Sequence, residues 1–185
     1  MRLGTFTFTL FTLFSLAGCA SGIGKIGSYS ATDRRTAGTV IEDNAIESKA
    51  NDHVETKYKA TVHVNVTSFN RFVLITGEVA TDETKTQVAR IVGSVPNVKG
   101  YANELTVGAL SKFSSRSSDA FITSSIKSLL NKSKKVQADQ VRVITENGIV
   151  YLMGLTTRAE ADAASDIAST VRDVKKVLRV FEYID

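Results

Sequence analysis

The sequence contains no tryptophan, one cysteine and two histidines, and each scarcity removes a class of function. With no tryptophan, and with Tyr29, Tyr58, Tyr101, Tyr151 and Tyr183 scattered along the chain, it lacks the aromatic platforms that a peptidoglycan or glycan binder presents. A single cysteine cannot form an internal disulfide. His53 and His63 have no cysteine or second histidine at ligand spacing, so they read as a helix-surface and a strand-lining residue rather than a metal site. Neither a nucleophile elbow nor a catalytic-triad order is present. The segment "SGIGKIG" (Ser21 to Gly27) lacks the Gly-Lys-Ser/Thr ending and the preceding strand of a phosphate loop. Asp82, Glu83, Glu160 and Asp162 fall at predicted helix N-termini, where negative charge complements the helix dipole. Nothing here argues for an enzyme, and no cofactor is expected. A net charge of +4 is too small to indicate nucleic-acid binding, so any electrostatic function must be local.

What is present begins with a targeting segment. Arg2 precedes the apolar run "LGTFTFTLFTLFSLA", which is shorter than the roughly 20 residues that span a bilayer as a helix. A short apolar run after a basic start marks a secretory signal peptide, here residues 1–18. The four residues "LAGC" (Leu16 to Cys19) resemble the bacterial lipobox, in which the cysteine thiol is alkylated by diacylglycerol and becomes the mature N-terminus. Cys19 is the only cysteine in the chain, and its place beside the signal sequence has no structural purpose. Ala20, where retained lipoproteins carry aspartate, implies by resemblance an outer-membrane lipoprotein facing the periplasm of a Gram-negative bacterium. Residues 19–40 are rich in Gly, Ser, Thr and Ala without periodicity and read as a flexible tether.

The remainder is a duplication. "VHVNVTSFNRFVLITGEVATDE" and "VARIVGSVPNVKGYANELTV" in one half correspond to "VRVITENGIVYLMGLTTRAE" and "DIASTVRDVKKVLRVFEYI" in the other. Gly77 aligns with Gly154, Glu83 with Glu160, Val95 with Val171 and Val98 with Val174. Each copy predicts a helix near 43–57 or 119–131, then an alternating strand (Val62, Val64, Val66; Val141, Val143). A turn follows, at Asn70-Arg71 or at the stronger hairpin signal Asn147-Gly148. The second strand ends at the shared glycine. A helix with apolar residues at three-four spacing comes next, and a last strand spans Glu104 to Val107 or Val177 to Ile184. The order αββαβ makes the last strand parallel to its predecessor. The fold class is α+β: two tandem units, each a three-stranded mixed sheet with two helices on one face. The boundaries are 41–108 and 118–185, with a serine-rich linker at 109–117. At about 65 residues each copy is marginal alone, so the copies should pack together.

The αββαβ unit, with its shared glycine and the downstream Val95, Val98, Asn103, Leu105 and Val107, resembles the BON domain. A lipobox, the tether segment "TDRRTAGT" (Thr32, Asp33, Arg34, Gly38, Thr39) and two such copies resemble the dual-BON outer-membrane lipoproteins. "TENGIVYLMGL" and "ADIAS" in the second copy are the most specific part. The resemblance implies binding of anionic phospholipid membranes, enrichment at cell-division sites and upkeep of the outer-membrane barrier. Its alternative is an adaptor that docks outer-membrane assembly or division proteins. No nucleic-acid partner is implied.

One stretch stands out within the copies. "AFITSSIKSLLNKSKK" (Ala120 to Lys135) is amphipathic, and no acidic residue lies between Asp119 and Asp139. The corresponding helix of the first copy has a narrow stripe, Ile46, Ala50 and Val54, and charges of both signs, as suits a packing partner and spacer. In the second copy Phe121, Ile126 and Leu130 spread over roughly 180° at 100° per residue. A basic amphipathic helix is a membrane-surface signature. The phospholipid-binding set read from it is Phe121, Ile126, Lys127, Leu130, Lys132, Lys134 and Lys135, with Phe121 and Leu130 at the lipid edge and Ile126 nearer the sheet.

The anchor generates the first testable outcome. Each buried acyl CH₂ contributes about 0.8 kcal/mol, so several chains on Cys19 hold the protein essentially permanently. Mass spectrometry of the mature protein should find a modified Cys19 at its N-terminus, and Cys19→Ala should leave the membrane fraction.

Overall fold

The computed structural model describes residues 33–185; Cys19, the signal peptide and most of the tether lie outside the described residues. The first copy comprises α1 (Ala37–Tyr58), β1 (His63–Phe69), β2 (Phe72–Val79), α2 (Asp82–Gly93), β3 (Gly100–Asn103) and β4 (Thr106–Val107). The second comprises α3 (Phe113–Lys132), β5 (Val141–Glu146), β6 (Ile149–Thr156), α4 (Arg158–Ser169) and β7 (Lys176–Tyr183). The sheets run β1-β2-β3, with β4 also on β2, and β5-β6-β7. β1 and β5 are antiparallel to the central strand, whereas β3, β4 and β7 are parallel to it, as the duplicated αββαβ order requires.

Strand alternation sorts side chains between two kinds of core. On the helical face of the first sheet Val66, Val73, Ile75 and Val79 pack against Ile46, Ala50 and Val54 of α1 and Val88, Ala89 and Val92 of α2. In the second unit Val141, Val143, Val150 and Leu152 meet Ile122, Ile126 and Leu130 of α3 and Ala164 and Ala168 of α4. The opposite sheet faces meet each other: Phe69 and Leu74 from the first unit join Tyr151, Met153 and Leu155 from the second. The molecule is therefore layered helix, sheet, sheet, helix, and the expected packing of one copy on the other runs through the sheets. Burial pushes the Tyr151 phenol up to about 12, because its charged form has little solvation between the sheets.

Several boundaries differ from the sequence reading. α1 starts at Ala37, inside the stretch assigned to the tether, and α3 at Phe113, inside the stretch assigned to the linker. Thr36 caps α1 by accepting the Thr39 N–H at 3.1 Å. Both early turns are largely exposed, so they carry no apolar period to read. The last strand of the first copy starts at Gly100 and breaks at Glu104–Leu105, where Leu105 drops into the helical-side core. Finally, β2 and β6 run on past their shared glycine. A Cβ at Gly77 would fall 2.0 Å from the His63 carbonyl oxygen, and one at Gly154 2.2 Å from that of Gln140. The glycine serves the close approach of the neighbouring chain, not the end of a strand.

One device recurs in both units. Each hairpin turn places two residues at positive φ: Asn70 and Arg71 in the first, Asn147 and Gly148 in the second. A buried aspartate on the preceding helix accepts both turn N–H groups. Asp43 takes Asn70 at 2.9 Å and Arg71 at 2.7 Å; Asp119 takes Asn147 at 2.9 Å and Gly148 at 2.8 Å. The first turn, weaker by sequence, adopts the same left-handed pair because Asp43 holds it, and offsets the cost of Arg71 at φ 66°.

Removing either carboxylate strands two N–H donors and frees a turn, a loss of about 2–4 kcal/mol. Asp43→Ala and Asp119→Ala should each lower the urea midpoint accordingly. Asp43→Ala should cost more, since Gly148 accepts positive φ unaided and Arg71 does not.

Candidate membrane-facing site

The site is the outward face of α3. Asp119, Ile122, Ile126 and Leu130 recur at three-four spacing and form its inner face. Phe121 precedes Ile126 by five residues, roughly 140° around the helix, and so points away from the core. It is 73% exposed, and Phe113, the first residue of the helix, is 80% exposed. Two members of the sequence-derived set are corrected. Ile126 at 0% and Leu130 at 1% exposure lie in the second unit's core, because the wide stripe is shared between sheet and α4. Leu129 rather than Leu130 carries the partly exposed apolar surface.

The charge pattern is more one-sided than the sequence indicates. Asp119, the only acid from residue 112 to 138, is 6% exposed and committed to the Asn147-Gly148 turn. Lys112, Arg116, Lys127, Lys132, Lys134 and Lys135 are exposed. None of them belongs to an ion pair among the described residues. The structure thus brings Phe121 and Lys132 together on the outward face of α3, sets Lys127 on its flank beside the cleft between the units, and places Lys134 and Lys135 in the turn beyond the helix. Lys112, Phe113 and Arg116 escaped the sequence reading because they fall in a serine-rich stretch without period.

At the other side of α3 a cleft of about 560 Å³ opens between the units, lined by His63, Asn65, Arg116, Thr123, Lys127 and Glu146 among others. His63 faces Glu78 across the β1–β2 ladder, and its Nδ1 lies 2.9 Å from Glu78 Oε2. Glu146 approaches from β5, with Oε1 3.7 Å from the same nitrogen. Burial acts to raise the Glu78 carboxyl, but hydrogen bonds from His63, Asn147 and Ser111 outweigh it and hold it below the usual range. Burial lifts the Glu146 carboxyl above that range. His53 is exposed on α1, and His63 lines its strand, as their positions in the sequence suggest. The grouping with Glu78 and Glu146 was not legible, since it depends on how two sheets meet.

The start of the described chain is strapped across both units. Arg34 donates two parallel hydrogen bonds to Glu160 and a third to the Leu155 carbonyl, all at 2.8 Å. Arg35 pairs with Asp33 at 2.7 Å and Asp43 at 2.8 Å, with its guanidinium 3.9 Å above the Phe69 ring. Glu160 also completes a capping box with Thr157 at the start of α4.

Comparison with known proteins agrees with this architecture. Residues 42–109 and 118–184 each match the BON domain. The chain is 39% identical over 179 residues to the outer membrane lipoprotein DolP of Haemophilus influenzae, covering 94% of this chain and 92% of that one. It is 34% identical over 154 residues to a 21 kDa hemolysin of Actinobacillus pleuropneumoniae, covering 82% and 79% respectively. Among solved structures, CdsD, a structural protein of the type III secretion system of Chlamydia trachomatis, aligns with 78% of this chain and 92% of its own. The TM-score is 0.32 and the identity 14%, a likeness too distant to carry any argument.

The Arg34 strap has a defined pH signature. The hydrogen bonds from Arg34 bring the Glu160 carboxyl down to about 2, from an ordinary 4.5. A depressed carboxyl contributes stability that is present above its unfolded value and lost as pH falls through its folded value. Arg34→Ala should therefore lower the melting temperature at neutral pH. The difference from the unaltered chain should shrink between pH 4.5 and about 2, measured by circular dichroism at a series of pH values.

Proposed function

The chain belongs to the BON-domain family, and from that premise we propose that it is a non-catalytic outer-membrane lipoprotein that binds anionic phospholipid through the outer face of α3. In this reading it is anchored through Cys19, faces the periplasm, and helps maintain outer-membrane integrity at the division site. The observation that carries the lipid-binding reading is that α3 and its flanking turns expose Phe121 and six cations but no carboxylate from residue 112 to 138. Magnitudes favour assisted rather than autonomous binding. Each cation near an anionic surface contributes about 1 kcal/mol, and a large apolar side chain leaving water about 1.5–3 kcal/mol before ordering costs. An acyl anchor keeps the helix at high effective concentration beside the bilayer, so such modest affinity suffices.

The first unit has no comparable face. Its helix α1 buries Ile46, Ala50 and Val54, and its surface mixes charges of both signs. It serves as packing partner and spacer.

Co-sedimentation of residues 20–185 with vesicles of rising anionic content tests the proposal. Binding should grow with anionic lipid and weaken with salt. Phe121→Glu should reduce it about tenfold or more without loss of helical signal. Leu130→Glu should instead unfold the second unit. Lys49→Glu with Lys57→Glu in α1 should leave binding nearly unchanged. Association that ignores headgroup charge, with a protein partner retained in detergent, would establish the adaptor reading instead.

A further inference from the structure

We propose that His63, Glu78 and Glu146 form a divalent transition-metal site, zinc being the best match, that joins the two BON units at their interface. The three side chains come from β1, β2 and β5, hence from both sheets, and their ligand atoms all lie within 4.8 Å of one another. Tetrahedral zinc, at about 2.0–2.2 Å from nitrogen and oxygen ligands, needs donors roughly 3.3–3.5 Å apart. The observed 2.9 Å and 3.7 Å from His63 Nδ1 to Glu78 Oε2 and Glu146 Oε1 bracket that separation. Side-chain shifts of a few tenths of an ångström would seat the ion.

Two further features belong to a ligand site rather than to a simple ion pair. The first is orientation. Asn147 donates to Glu78 Oε1, and Asn65 donates to Glu146 Oε2 at 2.9 Å. Each amide holds the oxygen that faces away from the imidazole, while Glu78 Oε2 and Glu146 Oε1 converge on Nδ1; Glu78 Oε2 also accepts the Ser111 N–H at 3.1 Å, and the Ser111 hydroxyl lies 3.4 Å from Nδ1. Hydrogen bonds of this kind, made to the non-ligating atom, orient metal ligands in known sites. The second is charge. Glu78 and Glu146 are 2% and 7% exposed, and one imidazolium can neutralise only one of them. A divalent cation neutralises both. The other charged groups facing the cluster are Asp119, which adds negative charge, and Arg116 and Lys127 on the far wall of the cleft. The open fourth position thus faces water and positive charge, and is suited to water or an anionic ligand. An imidazole in the donor set disfavours calcium and magnesium, which take oxygen ligands. Binding uses the Nδ1 lone pair, so the other ring nitrogen, Nε2, carries the proton in the metal-bound state.

The test uses the full-length lipoprotein, purified in detergent and stripped with chelator. Zinc titration by calorimetry should give saturable binding at one site per chain. At about a hundredfold excess over Kd the ion should raise Tm by roughly 5–10 °C. Glu146→Gln should weaken binding at least tenfold, and Asn65→Ala or Asn147→Ala about 10–100-fold. His53→Ala should leave it unchanged. X-ray absorption of the unaltered, zinc-loaded chain keeps the test open if a variant fails to fold: one nitrogen and at least two oxygen donors are expected. Absence of saturable binding, binding insensitive to Glu146→Gln, loss on His53→Ala, or a sulfur donor would each overturn the site.

Discussion

Both halves of this molecule hang on a carboxylate buried where a helix crosses a hairpin turn. Asp43 and Asp119 occupy equivalent places, and each satisfies two consecutive backbone donors of a left-handed turn. A buried unpaired carboxylate would be costly, so helix, turn and strands must arrive together. This fixes where the first helix lies along the sheet, and so which of its residues reach the core: Ile46, Ala50 and Val54 in one unit, Ile122, Ile126 and Leu130 in the other. It also removes the only acid from the surface of α3. The charge asymmetry of that helix is thus a by-product of the turn's need for an acceptor.

The two copies then diverge around the same frame. Ala50 in α1 stands where Ile126 stands in α3, and Val54 where Leu130 stands. Bulkier residues fill the second unit's helical core, while small residues on the opposing α4, Ala161, Ala164 and Ala168, make room for them. Glu47, which in the first unit accepts the Ser68 N–H and pairs with Arg142, is replaced by Thr123, which bonds Thr145. The acid needed at the unit interface is kept on α1; its counterpart on α3 is neutral.

Much of this was legible in sequence. Self-similarity gave the duplication, alternation in Val62, Val64 and Val66 gave the strand and its core face, and Asn147-Gly148 gave the turn. What escaped has a common physical cause. Periodicity reports only burial, so it missed the exposed first turns at Ala37 and Phe113 and could not divide the α3 stripe between sheet-facing Leu130 and outward Phe121. The role of Asp43 and Asp119 was hidden because an acid near a helix start reads as a dipole partner. His63 and Glu78 are cross-strand neighbours that the hairpin register alone would pair. Glu146 joins them only once the two sheets meet, and no local pattern encodes that docking.

The Arg34 strap also decides how the protein bears force. For a body tethered through the proposed anchor on Cys19, the fifteen residues from Cys19 to Asp33 span at most about 50 Å when drawn out. Any displacement between membrane and body beyond that reach becomes tension on the chain. The first folded contacts that tension meets are the Asp33–Arg35 pair and the paired bonds of Arg34 to Glu160, at the cap of α4 in the second unit. Only after those yield would the pull reach Thr36 and the N-terminal turn of α1. With the proposed anchor on Cys19, traction would therefore be shared with the second unit through Glu160 and would not fall on the first unit alone.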